Sequence, residues 1–290
     1  MDVQRAAYGY LIAGIDGGDM LALRGAQAWP VLSVNTAVES RDGPRRVEIG
    51  PDRACIDTLA GCLLLEREPV RLTVLADSRL PDADLVHPCL WPAAAVFARW
   101  RGLETLHGGA FVDDRGGAWA VLGDRGAGKS SLLAALTVAG HEVVADDLLV
   151  LDGGDCFAGP RCVDLRPDAA SELGLGALPS VRSTRRQRLL LAPCDGRFTL
   201  RGCVYLEWGD RVAVGPFAPA EHLGALTGQR RIAGLGANVE QLISLSGLPA
   251  FRMRRPQALG SVRATRDVLV EAVNAAHSYF SPTSWRPART

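Results

Sequence analysis

The sequence predicts an α/β fold preceded by a β-rich N-terminal region. Three observations predict it. Residues 118–139 read as an apolar strand, a Gly-rich loop and a helix with Leu132, Leu133 and Leu136 on one face. A second apolar run, residues 141–151, follows at once, interrupted by Asp146 and Asp147. The first 86 residues hold only short β-like runs separated by Gly, Asp, Pro and Arg.

Taken in order, the N-terminal runs are 8–15, 30–34, 46–49 and 71–75. A change of style near His87 sets the boundary between residues 1–86, a candidate substrate-recognition region, and residues 87–290, the catalytic unit. Residues 91–101 read as a helix with Pro92 in its first turn, where a missing N–H costs nothing, and Gly102 as its stop. Residues 108–112 and 118–122 read as strands joined by a turn over 113–117. After the helix over 130–139 and its stop at Gly140, the chain returns to strands at 161–165, 188–191, 197–207 and 211–214. The last part reads helix 219–226, helix 239–246, strand 250–254 and helix 264–277, with 281–290 as a loose Pro- and Arg-rich tail.

Composition narrows the function. The 290 residues carry 32 basic and 32 acidic side chains, so a general nucleic-acid binder is disfavoured. Seven cysteines, an odd number without C-x-x-C spacing, indicate neither a disulfide framework nor a zinc ribbon; they read as small apolar core residues of a reducing compartment. The N-terminus meets Asp and Gly before any signal-peptide core develops, and no charge-free stretch approaches the ~20 residues of a membrane span. A cytoplasmic protein is expected, with no membrane partner and with a homo-oligomer left open. Arginine supplies every basic side chain but one, Lys129. A compact ammonium is required there, where a planar fork would not serve.

Lys129 stands in Gly123-Asp124-Arg125-Gly126-Ala127-Gly128-Lys129-Ser130, which fits G-x-x-x-x-G-K-[ST]. Glycines let backbone N–H groups converge on phosphate oxygens without obstruction, and the helix behind them, entered through Ser130 and Ser131, points its positive end the same way. Lys129 then bridges the outer phosphates of ATP and the Ser130 hydroxyl ligates Mg²⁺. The alternative is an ordinary Gly-rich turn. A strand of a parallel sheet beside the loop strand would bring Asp146 and Asp147 to the γ-phosphate, one holding Mg²⁺ and the other accepting a hydroxyl proton. The alternative is that they mark the solvent end of a strand.

The stretch LHGGAFVDDRGGAWAVLGDRGAGKSSLLAALTVAGHEVVADDLLVL resembles the catalytic domain of HPr kinase/phosphorylase and its relatives. His107-Gly108, Gly126-Ala127-Gly128-Lys129-Ser130, Gly140-His141 and Ala145-Asp146-Asp147 follow the family's order. The resemblance covers roughly residues 104–215. It implies a kinase core of mixed sheet with flanking helices, ATP and Mg²⁺ as cofactors, and transfer to serine. Relatives of this chain's size modify serine on peptides of lasso-peptide and similar biosynthetic clusters, so a peptide or small protein is the implied partner. It further implies that Asp147 is the catalytic base and that His107 lies close to the transferring phosphate. Without the resemblance, a histidine satisfied at a strand start reads as well. Val163-Asp164-Leu165-Arg166 resembles the family's L-E-I-R segment, which makes Asp164 a second metal candidate or, equally, a strand-face carboxylate. The family's R-P-G-R loop has no clean match; Pro193-Cys194-Asp195-Gly196-Arg197 is the nearest. The resemblance therefore stops short of naming HPr as acceptor or a reverse phosphorylase reaction.

Arg182, Arg185, Arg186 and Arg188, with Arg230–Arg231 and Arg252–Arg255, could each close over a phosphate, or could be solvated loop residues. Trp91, Trp100 and Trp119 read as core, and His87, His222 and His277 show no metal-ligand spacing. Two other functions stay open: a kinase of a free small molecule, and a nucleotide-binding module indifferent to any acceptor.

Overall fold

Strands dominate the first 80 residues. The computed structural model describes residues 2–39, 46–181, 185–230 and 236–279; Arg182, Arg231 and the 281–290 tail lie outside them. Among the described residues the strands Val3–Ala7, Tyr10–Ala13, Ala22–Arg24, Val31–Val38, Val47–Ile49, Arg53–Asp57, Cys62–Glu66 and Arg71–Ala76 join one mixed sheet. The run expected at 8–15 supplies the turn and the second strand of a hairpin with Val3–Ala7. Ala7 pairs with Tyr10, and Tyr8 (φ 54°) and Gly9 (φ 82°) make a two-residue turn with both φ positive. Tyrosine's strand preference hides that turn in the sequence, because only Gly9 announces it.

Six α-helices follow among the described residues: α1 (Asp82–Trp100), α2 (Lys129–Val138), α3 (Pro167–Glu172), α4 (Pro219–Gly228), α5 (Val239–Ser246) and α6 (Val262–Tyr279). Helix α1 begins nine residues before the expected 91, so the proposed 86/87 boundary falls inside it. Pro92 is not in its first turn; Pro88 and Pro92 both lie within the helix. Each removes one intrahelical donor. Burial outweighs that loss: Leu85, Val86, Cys89, Leu90, Val96 and Phe97 are all buried, against Leu63, Leu65, Leu72 and Val74 of the N-terminal sheet. Asp82 and Asp84 in the first turn complement the helix dipole.

A second mixed sheet runs Val143–Ala145, Gly109–Val112, Ala118–Leu122, Arg197–Trp208, Asp155–Phe157, Leu149–Asp152, Glu104–Leu106. Ala250–Arg255 pairs parallel to Arg197–Trp208, and Ala213–Pro216 pairs with Ala250–Arg255. A small three-stranded sheet joins Cys162–Leu165, Arg186–Leu190 and Ser180–Val181. Leu132, Leu133 and Leu136 of α2 are fully buried among Phe111, Val121, Leu269 and Val273. Each such burial contributes roughly 1.5–3 kcal/mol, which fixes the helix start at the loop.

The expected strand over 141–151 is two strands, Val143–Ala145 and Leu149–Asp152, far apart in the sheet order. Asp146 and Asp147 form the break, and Asp147 has φ 66°. Val143–Ala145 is also not beside the loop strand. It is antiparallel to Gly109–Val112, which is in turn antiparallel to Ala118–Leu122, so one strand intervenes. The two regions of the chain share core: Leu148, Val150 and Phe157 pack with α1 and the N-terminal sheet, and Cys194–Asp195 adds a parallel strand to Leu23–Arg24. Six cysteines are buried and Cys55 is half-buried. No helix among the described residues is long and apolar enough to cross a membrane.

Candidate functional site

The loop strand Ala118–Leu122 ends at Gly123, and α2 begins at Lys129, with the loop between them. Gly128, at the N-cap of α2, has φ 90°, a left-handed conformation that favours glycine. A Cβ on Gly126 would meet nothing within 4 Å, so open space adjoins the loop there. No side chain caps α2 and its first turn holds no acid, which leaves its N-terminal N–H groups to an outside acceptor. Gly123 donates its N–H to Gln229 Oε1 at 3.3 Å, and the Ala127 N–H donates to the Asp124 carbonyl at 3.1 Å. Asp124 and Arg125 are exposed, while Ala127 is buried. Lys129 is buried, and its ammonium donates to the Gly123 carbonyl at 2.7 Å and the Asp124 carbonyl at 3.0 Å.

Beside the loop, Ser130 Oγ donates to Asp146 Oδ1 at 3.2 Å, and the same carboxylate oxygen accepts the Asp147 N–H at 2.9 Å. Ser130 and Asp146 offer hard oxygen atoms of the kind Mg²⁺ prefers. Burial first, and the Asp147 carboxylate next, push the Asp146 carboxyl up to about 7. The positive φ of Asp147 turns its side chain into a cleft of about 1330 Å³, whose walls also carry His87, His107, Gly126, Lys129, Ser130 and Ser131. A non-glycine residue in this region costs of order 1–3 kcal/mol and persists where its surroundings enforce it. Here two histidines do so. His107 Nδ1 lies 3.0 Å from the Asp147 carbonyl oxygen, and His87 Nε2 lies 3.1 Å from Asp147 Oδ2. Burial opposes charge on His87, but the Cys162 sulfur and the hydrogen bond to Asp147 outweigh it, and its pKa stands well above the ordinary imidazole value.

The fold thus brings Lys129, Ser130, Asp146, Asp147 and His107 together. In the sequence Asp164 is open to two readings, a metal candidate or a strand-face carboxylate. It lies on the wall of the same cleft, but Arg188 donates Nε to Oδ1 at 2.7 Å and Nη2 to Oδ2 at 2.8 Å. Both oxygens of this buried carboxylate are committed to an ion pair. Pro193–Arg197, the nearest match to an acceptor loop, packs on the N-terminal sheet: Asp195 pairs with Arg24, and Gly196 abuts Trp29. Arg185 and Arg186 line the cleft; Arg230 is spent on Glu104 and Arg252 on Glu207 and Glu221. Trp119 is core, stacked on Phe251, whereas Trp91 lines the cleft.

Sequence reasoning passed over His87. It sits on α1, 60 residues before its partner, and no local spacing could join them. It also missed a cluster on the hairpin Arg53–Asp57/Cys62–Glu66. There Cys55, Asp57 and Cys62 bring one metal-capable atom each to within 4.8 Å of one another, the two sulfurs 3.3 Å apart. Register on facing strands assembles that group, which C-x-x-C counting cannot see.

No protein-family model matches the chain, and no curated protein matches it. Solved structures similar to it include the Hpr(Ser) kinase/phosphatase from Coxiella burnetii. The likeness covers 61% of this chain and 97% of that one, at 13% identity and a TM-score of 0.32.

Proposed function

We propose that this chain is a Mg²⁺- and ATP-dependent kinase that transfers the γ-phosphoryl group to a serine hydroxyl of a peptide or small protein, such as a ribosomal peptide precursor. The observation that carries the reading is Asp147, clamped between His87 and His107 and facing the cleft beside the Ser130–Asp146 pair. In this reading the loop amides and Lys129 bind the phosphates, Lys129 exchanging the Gly123 and Asp124 carbonyls for phosphate oxygens. Ser130 and Asp146 would hold Mg²⁺, which when bound neutralises charge on the phosphates. Asp147 takes the serine proton as the serine oxygen forms its bond to phosphorus and the bond to the ADP oxygen breaks. His87 Nε2 keeps the carboxylate aimed throughout, and His107 holds the backbone it projects from. Residues 1–86 are the proposed acceptor platform. Their hairpin tip lines the cleft through Asp57–Ala60, with Leu59 exposed, and so offers apolar surface to a chain-like acceptor.

The test is incubation with γ-labelled ATP and serine-containing peptides, followed by mass spectrometry. Phosphoserine on a peptide is expected. ADP release with no acceptor labelled would replace this reading with a nucleotide-driven module, and transfer only to free small molecules would replace the acceptor class.

A pH prediction follows from Asp146. With its carboxyl raised to about 7, Mg²⁺ must displace a proton below that pH. Affinity is expected to rise about tenfold per pH unit up to neutrality and to level off above it. Calorimetric Mg²⁺ titrations in buffers of different ionisation enthalpy would report the released proton. In the metal-free protein, stability changes with pH in the opposite direction. A raised carboxyl contributes stability below its unfolded value of about 3.9, and that contribution is lost as pH rises through about 7. PH-independent Mg²⁺ binding would remove Asp146 from the metal site.

A further inference from the structure

Arg255 ends the strand Ala250–Arg255, where it is paired with Trp208 at the end of Arg197–Trp208. That strand is parallel to both Ala250–Arg255 and the loop strand Ala118–Leu122. The carboxyl ends of three adjacent parallel strands therefore open on one side, the place where α/β sheets bind ligands. The neighbouring arginines are satisfied: Arg252 meets Glu207 at 3.0 Å and Arg254 meets it at 3.6 Å. Arg255 differs. It is 2% exposed, its Nε and Nη1 are buried with no hydrogen-bond partner, and it pairs with no carboxylate among the described residues. Its guanidinium lies 4.8 Å from the centre of the Trp208 ring and so close to the loop that a Cβ on Gly128 would collide with Nη2. Gly128 thus lacks a side chain for two reasons, its positive φ and the approach of this cation. Burial pulls the Arg255 pKa below its ordinary value, as expected of a charge held without a counter-ion.

A buried guanidinium with unused donors is costly unless an anion completes it. Beside a loop built for phosphate, the fitting anion is one with several oxygens, which the planar fork can grip through two parallel bonds. Resting on the kinase reading above, we propose that Arg255 is a phosphate ligand of this site, closing the loop from the strand side opposite Asp146. The rival is that Arg255 only packs on Trp208.

Thermal melting and calorimetry on the full chain, with MgATP and with inorganic pyrophosphate as probes, separate the two. Arg255→Met is expected to bind MgATP about ten- to a hundredfold more weakly, with Arg255→Lys in between. The melting temperature without ligand should hold or rise in Arg255→Met, because an uncompensated buried charge is gone, while the shift produced by MgATP shrinks. A packing role predicts the reverse: a lower melting temperature without ligand and an unchanged affinity. If the wild-type chain binds MgATP and Arg255→Met binds it equally well, this assignment fails and the kinase reading stands. If the wild-type chain does not bind MgATP at all, the kinase reading itself fails. Should Arg255→Met not fold, Arg255→Gln carries the same comparison.

Discussion

Asp147→Asn is expected to cut phosphoryl transfer to serine by about 10²–10⁴-fold, the range for losing a positioned general base. The substitution isolates the proton function. Asparagine tolerates a positive φ, so the backbone at φ 66° costs little more with Asn than with Asp. Its carbonyl oxygen can still accept from His87 Nε2, now 3.1 Å from Asp147 Oδ2, and the His107 contact is to the main chain. What disappears is the capacity to take a proton. MgATP binding should therefore stay near the wild-type value while the turnover rate falls, which single-turnover measurements with saturating nucleotide would separate. Asp147→Ala would confuse the outcome, because alanine also pays for the left-handed backbone. Undiminished transfer by Asp147→Asn would leave the proposed chemistry without a base.

The second large effect is on stability. Arg188→Met is expected to lower the unfolding free energy by about 3–5 kcal/mol, because it strands the buried Asp164 carboxylate without its partner. Arg188 also donates to the Ala83 carbonyl at the start of α1 and, at 3.4 Å, to Met20 Sδ. One guanidinium therefore ties the small sheet to the N-terminal region and to the helix that carries His87. The double variant Arg188→Met/Asp164→Leu should recover most of the loss, since replacing both members of a buried pair by apolar groups is often neutral. Urea denaturation midpoints of the three proteins test this. If Asp164 also serves as a metal ligand, Asp164→Asn would abolish Mg²⁺ binding as well as lower stability; if it serves only the ion pair, stability alone falls. The two outcomes cannot be confused.

Legibility followed sequence distance. The strand–loop–helix passage and the run of elements at 219–228, 239–246, 250–255 and 262–279 match the expected order within a few residues, because apolar period, Gly stops and Pro starts act locally. Errors fell where a local signal had two meanings. Pro92 reads as a helix start and is a buried interior proline; Tyr8 reads as strand and occupies a turn; the 141–151 run reads as one strand and breaks at its aspartates. In each case packing with distant segments overrode the local preference.

The chain's own order of residues determined the Gly-rich loop ahead of α2, its single lysine and the aspartate pair, since a turn that exposes backbone N–H groups ahead of a helix is encoded within about ten residues. Only the tertiary structure decided the company those residues keep. His87 comes to Asp147 across 60 positions, Arg188 forms an ion pair with Asp164, and Arg255 is buried against Gly128 with no counter-charge among the described residues. The physical reason is that a buried charge answers to whatever the packed core places within a few ångströms of it, and sequence spacing carries no record of that.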